Sequence, residues 1–211
     1  MAGSSTAEAA SSSTARASTS STAQAAFYFD LGSPLAYLAA ERVLHVFPGP
    51  AEWQPVLARE LSPGAASFAL RCQNEGEVLR DNVQRRARAL GLQALQWPAD
   101  FPFDSELAML AATYAKSIGR TVPFVQAAFR QAFAGGRSLA EMDNVLVAAA
   151  ACEMHPKAVL AGVGMASVRT ELSRATAQAA QAGVSDVPAV RVGERVFVGE
   201  RSVEEAAAQI P

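Results

Sequence analysis

Ser33 is the residue whose type and place best suit chemistry. It follows a short aromatic run, Ala26 to Leu31, and Gly32, and it precedes Pro34 at the start of a helical pattern. A hydroxyl at a helix start lies beside free backbone N–H groups and the positive end of the helix dipole. Such a place favours an anion, a thiolate included. A serine there is also an ordinary helix N-cap, and spacing alone leaves both readings open. No base stands beside it in the sequence, so Ser33 reads as a hydrogen-bond donor rather than a nucleophile. Other reactive groups are sparse. Cys72 and Cys152 have no CxxC spacing and are too few for a disulfide scaffold. Cys72 reads as a small apolar residue, with a mixed disulfide as the alternative if it is exposed. His45 and His155 leave little for a metal site, and none is expected. His45 reads as a helix-surface residue and His155, before Pro156, as a loop residue.

The elements that must position Ser33 follow from the spacing. Ala26 to Leu31 predicts a buried strand ending in a turn. Leu35, Leu38, Ala39, Val43 and Val46 recur at helical intervals, up to the breakers Phe47-Pro48-Gly49-Pro50. Ala51 to Leu57 predicts a second strand, with Pro55 at an end or edge. Strand, helix, strand implies a parallel pair with a right-handed crossover. Residues 62–182 then read as helical. The helix candidates are Glu77–Leu90, Ser105–Ser117, Pro123–Ala134, Ser138–Ala149 and Ala166–Ala182. Arg80, Arg85, Arg86 and Arg88 make one basic face, read as solvated, with an ion pair to Asp81 or Asp104 as the next choice. Ser138 with Glu141, and Ser202 with Glu205, have capping-box spacing. Val187–Val192 and Arg195–Gly199 predict a hairpin turning at Gly193-Glu194. A last helix starts near Ser202.

Composition bounds what such a chain can be. It has 211 residues, 50% of them apolar and 18% charged. That is enough to bury a core and excludes disorder throughout. A formal charge of −2 argues against a nucleic-acid partner. No apolar run approaches the roughly 20 residues that cross a bilayer, so no membrane partner is expected. Of the first 26 residues, 21 are Ser, Thr or Ala, which predicts a disordered tail over 1–25. That tail lacks the apolar stretch of a secretory signal, so the expected place is the cytoplasm.

The order βαβ, helical block, ββα is that of a thioredoxin fold split by an insertion. Within it, FYFDLGSPLAYLAAERV (27–43) resembles the opening of 2-hydroxychromene-2-carboxylate isomerases and kappa-class glutathione transferases, in the DsbA-like branch. EWQPVL (52–57), RDNVQRRARALGL (80–92), FPFDSELA (101–108) and GVSDVPAVRVGERVFVGERS (183–202) extend the resemblance over about 185 residues. It implies an α/β, thioredoxin-like fold with a large all-helical domain inserted. The thioredoxin part would be 26–61 and 183–211, and the insertion 62–182.

The same resemblance implies a catalytic Ser33, standing where DsbA-like proteins carry their first active-site cysteine. Ser33 would donate a hydrogen bond to the sulfur of glutathione or another low-molecular-weight thiol. It also implies a cis bond between Val187 and Pro188, with the Val187 backbone pairing with the tripeptide. Gly199, Glu200 and Arg201 match the family's γ-glutamyl site, with Arg201 in place of its aspartate. Residues 58–76 lack the family's lysine, leaving Arg59 and Arg71 as cations. Ala36 replaces a second serine, and Met109 sits where relatives often carry arginine. Pro34, Leu35, Trp53 and Trp97 are the expected pocket for a small-molecule substrate, although Trp53 also reads as a packing residue. The implied activity is a thiol-dependent isomerisation of an aromatic or unsaturated carbonyl compound. A kappa-like glutathione transferase and a non-catalytic binding protein are the alternatives. A homodimer is the family expectation, and disulfide exchange is not expected with serine at position 33.

Overall fold

The structure is a computed structural model that describes residues 25–61 and 73–210. Residues 1–24 of the tail expected over 1–25, with Arg71 and Cys72, lie outside the described residues, and Ala25 belongs to the first strand. Strand β1 (Ala25–Phe29) begins one residue earlier than the sequence predicts, and all five of its residues are buried. It pairs parallel with β2 (Ala51–Pro55) and antiparallel with β3 (Ala189–Val192), which pairs with β4 (Arg195–Val198). The sheet order is β2-β1-β3-β4. A central strand covered on both faces explains why β1 is apolar without alternation. Pro55 closes edge strand β2, where its missing N–H costs no ladder bond.

The pleat sorts β1 into two faces. Phe27 and Phe29 pack against Trp53, with ring centroids 5.0 and 6.0 Å away. Ala26 and Tyr28 face the other way, toward Val56, Leu61, Ala179 and Val187. Helix α1 (Pro34–Val46) stops at Phe47, before the Pro48-Gly49-Pro50 breakers. Between β2 and β3 come the short α2 (Ala58–Leu61), α3 (Gln73–Ala89), α4 (Glu106–Ser117), α5 (Thr121–Phe133), α6 (Met142–Ala150), α7 (Pro156–Gly164) and α8 (Ala166–Gln181). Helix α9 (Ser202–Ala207) follows the hairpin. No helix among the described residues is long and apolar enough to cross a membrane. The thioredoxin-like part and the helical block share one core. Phe29 and Tyr37 contact Phe129, and Phe133 joins Tyr37, Trp97 and Phe101 to it.

Several local expectations are overturned by distant partners. Ser138 does not cap a helix: α6 starts at Met142 after Glu141, without a side-chain cap. The Ser138 hydroxyl instead donates to Asp100 Oδ2 at 2.6 Å. Ser202 is the first residue inside α9 rather than its cap, and its buried hydroxyl has no hydrogen-bond partner. His155 is not a loop residue but the N-cap of α7, where Nδ1 accepts from the Lys157 N–H at 3.2 Å. The arginine face of α3 is not simply solvated. Arg80 lies over the Trp97 and Phe101 rings, and Arg86 pairs with Glu200 rather than with Asp81 or Asp104.

Candidate functional site

The turn between β1 and α1 is held from three directions. The Ser33 N–H donates to the Asp30 carbonyl at 3.0 Å. Asp30 Oδ1 accepts from the Gly32 N–H at 2.8 Å, and Oδ2 accepts from the Ala58 N–H at 2.9 Å. One carboxylate therefore ties the end of β1 to the start of α2. The Ser105 side chain, ahead of α4, hydrogen-bonds the same carboxyl. The Leu31 N–H points at Met109 Sδ, 3.1 Å away and fully buried on α4. Gly32 leaves room for this crowding, since a Cβ there would stand 3.2 Å from Ser105 Cβ. Burial pushes the Asp30 carboxyl above the ordinary carboxylate range, against those hydrogen bonds and the nearby Arg59 charge. Sequence reasoning assigned no role to Asp30. Its signal was an acid closing an apolar strand two residues before a glycine, the pattern of an Asx turn.

That scaffold places Ser33 as the N-cap of α1. Its extended backbone (φ −96°, ψ 114°) lets Oγ accept from the Ala36 N–H at 3.2 Å. The hydroxyl proton is thereby left to donate elsewhere. Pro34 brings no N–H to the first turn, and the Leu35 N–H has no intrahelical acceptor. A half-buried hydroxyl and a helix N-terminus thus meet at one point, with buried Pro34 and half-buried Leu35 beside it.

The peptide bond between Val187 and Pro188 is cis, as is that between Phe101 and Pro102. Tyr28 pairs with Ala189, so the antiparallel register continues to place Val187 and Pro188 alongside the end of β1. The Val187 N–H is not open as expected: it donates to Asp186 Oδ1 at 2.7 Å. The Pro188 carbonyl accepts from the Gly199 N–H at 2.8 Å, which brings the hairpin exit beside it. Gly199 has φ 98°, a left-handed conformation that suits glycine. Next to it, Glu200 Oε1 lies 2.5 Å from Arg86 Nε, an ion pair without hydrogen-bond alignment. The Glu200 carbonyl accepts from Arg42 of α1 at 2.8 Å, and Arg42 also pairs with Glu204. Arg201 is exposed and stands 3.7 Å from Glu205.

Arg59 sits on α2, one residue beyond the Ala58 amide that Asp30 holds. Its guanidinium bonds Asp104 at 2.8 Å and Glu106 at 2.6 Å. Burial alone would lower its pKa, but the two carboxylates raise it instead. Glu106 is shared with Arg169 at 2.7 Å. The two tryptophans are both engaged in aromatic contacts. Trp53 is a buried packing residue against Phe27 and Phe29, the second of its two expected readings. Trp97 stacks on Phe101 at 4.9 Å under the Arg80 guanidinium. Ser33, Pro34 and Leu35 thus open α1 at the end of β1, the β1–β3 register runs toward Pro188 at that same end, and Gly199 is held to Pro188.

The model of the DSBA-like thioredoxin domain matches residues 24–211. The chain belongs to the DSBA-like thioredoxin domain family. No curated protein matches it significantly. Among solved structures, 2-hydroxychromene-2-carboxylate isomerase superposes with a TM-score of 0.78 at 17% identity, covering 87% of this chain and 93% of that one. A probable DsbA oxidoreductase from Streptomyces coelicolor gives 0.71 at 20% identity, covering 89% of each chain. The cytosolic disulfide reductase DsbM from Pseudomonas aeruginosa, solved with GSH, gives 0.59 at 16% identity, covering 83% of this chain and 88% of that one. At these identities the likeness is one of fold: a thioredoxin-like sheet carrying a helical block. The DsbA-like family holds thiol oxidoreductases and isomerases, which supports an enzyme at that coarse level.

Proposed function

We propose that this chain is a thiol-dependent isomerase. It binds glutathione, or another low-molecular-weight thiol, at Ser33 and acts in the cytoplasm on an aromatic or unsaturated carbonyl substrate. The observation that carries the reading is the Ser33 hydroxyl. It caps α1 through its oxygen and keeps its proton free, at a helix start that favours negative charge. These residues fit a thiolate: the donor and the dipole both act on an anion next to Oγ. The bound thiol would supply the nucleophile, which joins the substrate reversibly and leaves unchanged, without net oxidation.

The chain's own groups do the rest. Ser33 would hold the sulfur ionised. Asp30 fixes the turn that aims Ser33, through the Gly32 and Ala58 amides. Val187, Pro188, Gly199, Glu200 and Arg201 would hold the thiol's peptide part, and Arg59 its carboxylate. A glutathione transferase would use the same contacts on an electrophile. A binding protein without turnover is the second reading. It is favoured by three groups already paired internally: Glu200 with Arg86, Arg59 with Asp104 and Glu106, and the Val187 N–H with Asp186.

Calorimetric titration with reduced glutathione tests the thiol site. Absence of heat up to about 10 mM, the range of very weak ligands, would remove glutathione. If binding is found, Ser33→Ala should raise the bound thiol's pKa, read from thiolate absorbance against pH. An unchanged pKa would take Ser33 out of its role. Binding with no turnover of unsaturated carbonyl compounds would favour the second reading.

A further inference from the structure

A cavity lies on the sheet face opposite α1, and Ser33 is not among the residues that line it. The register places Ala26 beside both Glu52 and Arg191, and Tyr28 beside Gln54, so these side chains share that face. Helix α8 crosses it and presents Ala175, Ala179 and Ala182. The alanines of the helix, with Ala26 opposite them on the sheet, leave a gap between the two surfaces. It is a cavity of about 380 Å³, the size class of small-molecule sites.

Its walls are unequal in charge. Lys116, Arg174 and Arg191 line it, against the single carboxylate of Glu52. Two of the cations are already committed. Lys116 Nζ bonds Glu52 at 2.6 Å and also Gln54. Arg174 is held by Glu171 at 2.6 Å and by Gln178 at 2.7 Å. Arg191 differs. Its buried Nε has no hydrogen-bond partner, and no carboxylate among the described residues pairs with it. That Nε is covered, so a ligand in the cavity would meet the terminal N–H groups of the Arg191 fork, whose charge an oxyanion would answer.

We infer that this cavity binds a small organic oxyanion, a carboxylate or a phosphate monoester carrying one apolar ring. The oxyanion sits on Arg191, with Lys116 and Arg174 adding to the local positive potential. The ring lies over Ala175, Ala179 and Tyr28. The site is independent of the Ser33 reading, because its lining shares no residue with the β1–α1 turn, the Val187-Pro188 segment or the hairpin exit.

The test titrates the full chain with sodium benzoate, phenyl phosphate and the uncharged isostere benzamide, followed by calorimetry. At least one oxyanion should bind saturably, and the tighter of the two identifies carboxylate or phosphate as the natural group. Benzamide should bind about tenfold or more weaker, since it lacks the charge-assisted bond. Arg191→Gln should weaken oxyanion binding by about the same factor, with Arg191→Lys between the two. Three results overturn the inference: no saturable oxyanion binding up to about 10 mM, benzamide binding as well as benzoate, or undiminished binding by Arg191→Gln. If Arg191→Gln fails to fold, the comparison of benzoate with benzamide on the unaltered chain still decides.

Discussion

Replacing Asp30 with alanine tests the argument that one buried carboxylate builds the Ser33 turn. The substitution removes the acceptor of two backbone amides, Gly32 N–H at 2.8 Å and Ala58 N–H at 2.9 Å. A buried donor left without a partner costs about 1–3 kcal/mol. Gly32 is half-buried, so water can satisfy part of its loss. Removal of a desolvated carboxylate offsets more of it. The net expectation is a destabilisation of about 2–3 kcal/mol.

The pH dependence gives the sharper check. Burial holds the Asp30 pKa above its unfolded value, so the native state binds this proton more tightly than the unfolded chain does. The stability contributed by Asp30 is therefore fully present below the unfolded carboxylate pKa of about 3.9. It falls as pH rises through the native value and is level above that. Urea unfolding of both chains at several pH values reads the difference, in which the other carboxylates cancel. The loss caused by Asp30→Ala should be largest in acid and smaller at neutral pH. A loss below about 1 kcal/mol at every pH, or one that grows with rising pH, would refute the reasoning.

Other perturbations test other joints. A Cβ at Gly162 would stand 2.4 Å from the Tyr114 ring, so Gly162→Ala should cost about 1–3 kcal/mol in urea unfolding, and much less in a Tyr114→Ala background. Equal cost in both backgrounds would show that the ring is not the obstacle. Arg42→Met removes donors to the Leu38 and Glu200 carbonyls at 3.0 and 2.8 Å and the pair with Glu204. It should destabilise by about 1–3 kcal/mol and speed proteolysis at the hairpin exit; an unchanged cleavage rate would argue against this anchor. Burial pushes the Cys152 thiol up despite the Arg120 charge, and its Sγ lies 3.0 Å from the Ala148 carbonyl. Iodoacetamide should therefore label Cys152 far more slowly in the native chain than in urea, by peptide mapping, and equal rates would contradict its burial.

What the sequence makes legible is what local forces decide. Strand β1 reads clearly because both its faces are buried, which leaves an unbroken apolar run. The Ser33 cap reads clearly because its acceptor role is satisfied three residues away. Hydroxyls engaged over long distances mislead. Ser138 has perfect box spacing, yet Asp100 takes its proton from 38 residues away. Ser105 precedes α4 without capping it, because its side chain is turned to Asp30. Helix α7 was missed because Gly162 and Gly164 weaken its local signal, and Gly162 is explained only by the Tyr114 ring packed on it. Asp30 has no local signal for its full role, because the Ala58 amide and Ser105 belong to other segments. Trp53 illustrates the converse. Its burial follows from the strand pattern, while its ring partners Phe27 and Phe29 are fixed only by the pairing of β1 with β2.

The internal pairs around Ser33 decide less than their number suggests. The Arg86–Glu200 pair has side chains 41% and 39% exposed, and the Arg59–Asp104 pair 43% and 67%. Pairs so open to water contribute about 0–1 kcal/mol each. The charged end of a ligand can displace them at little cost, so they weigh only lightly for a silent site. The backbone is another matter. Arg42 is nearly covered, and it binds the Glu200 carbonyl while the Gly199 N–H binds Pro188. The hairpin exit is thus fixed in its main chain and adjustable in its side chains. That is the arrangement a binding edge requires: a rigid backbone beside Pro188, with Glu200 and Arg201 able to exchange one partner for another.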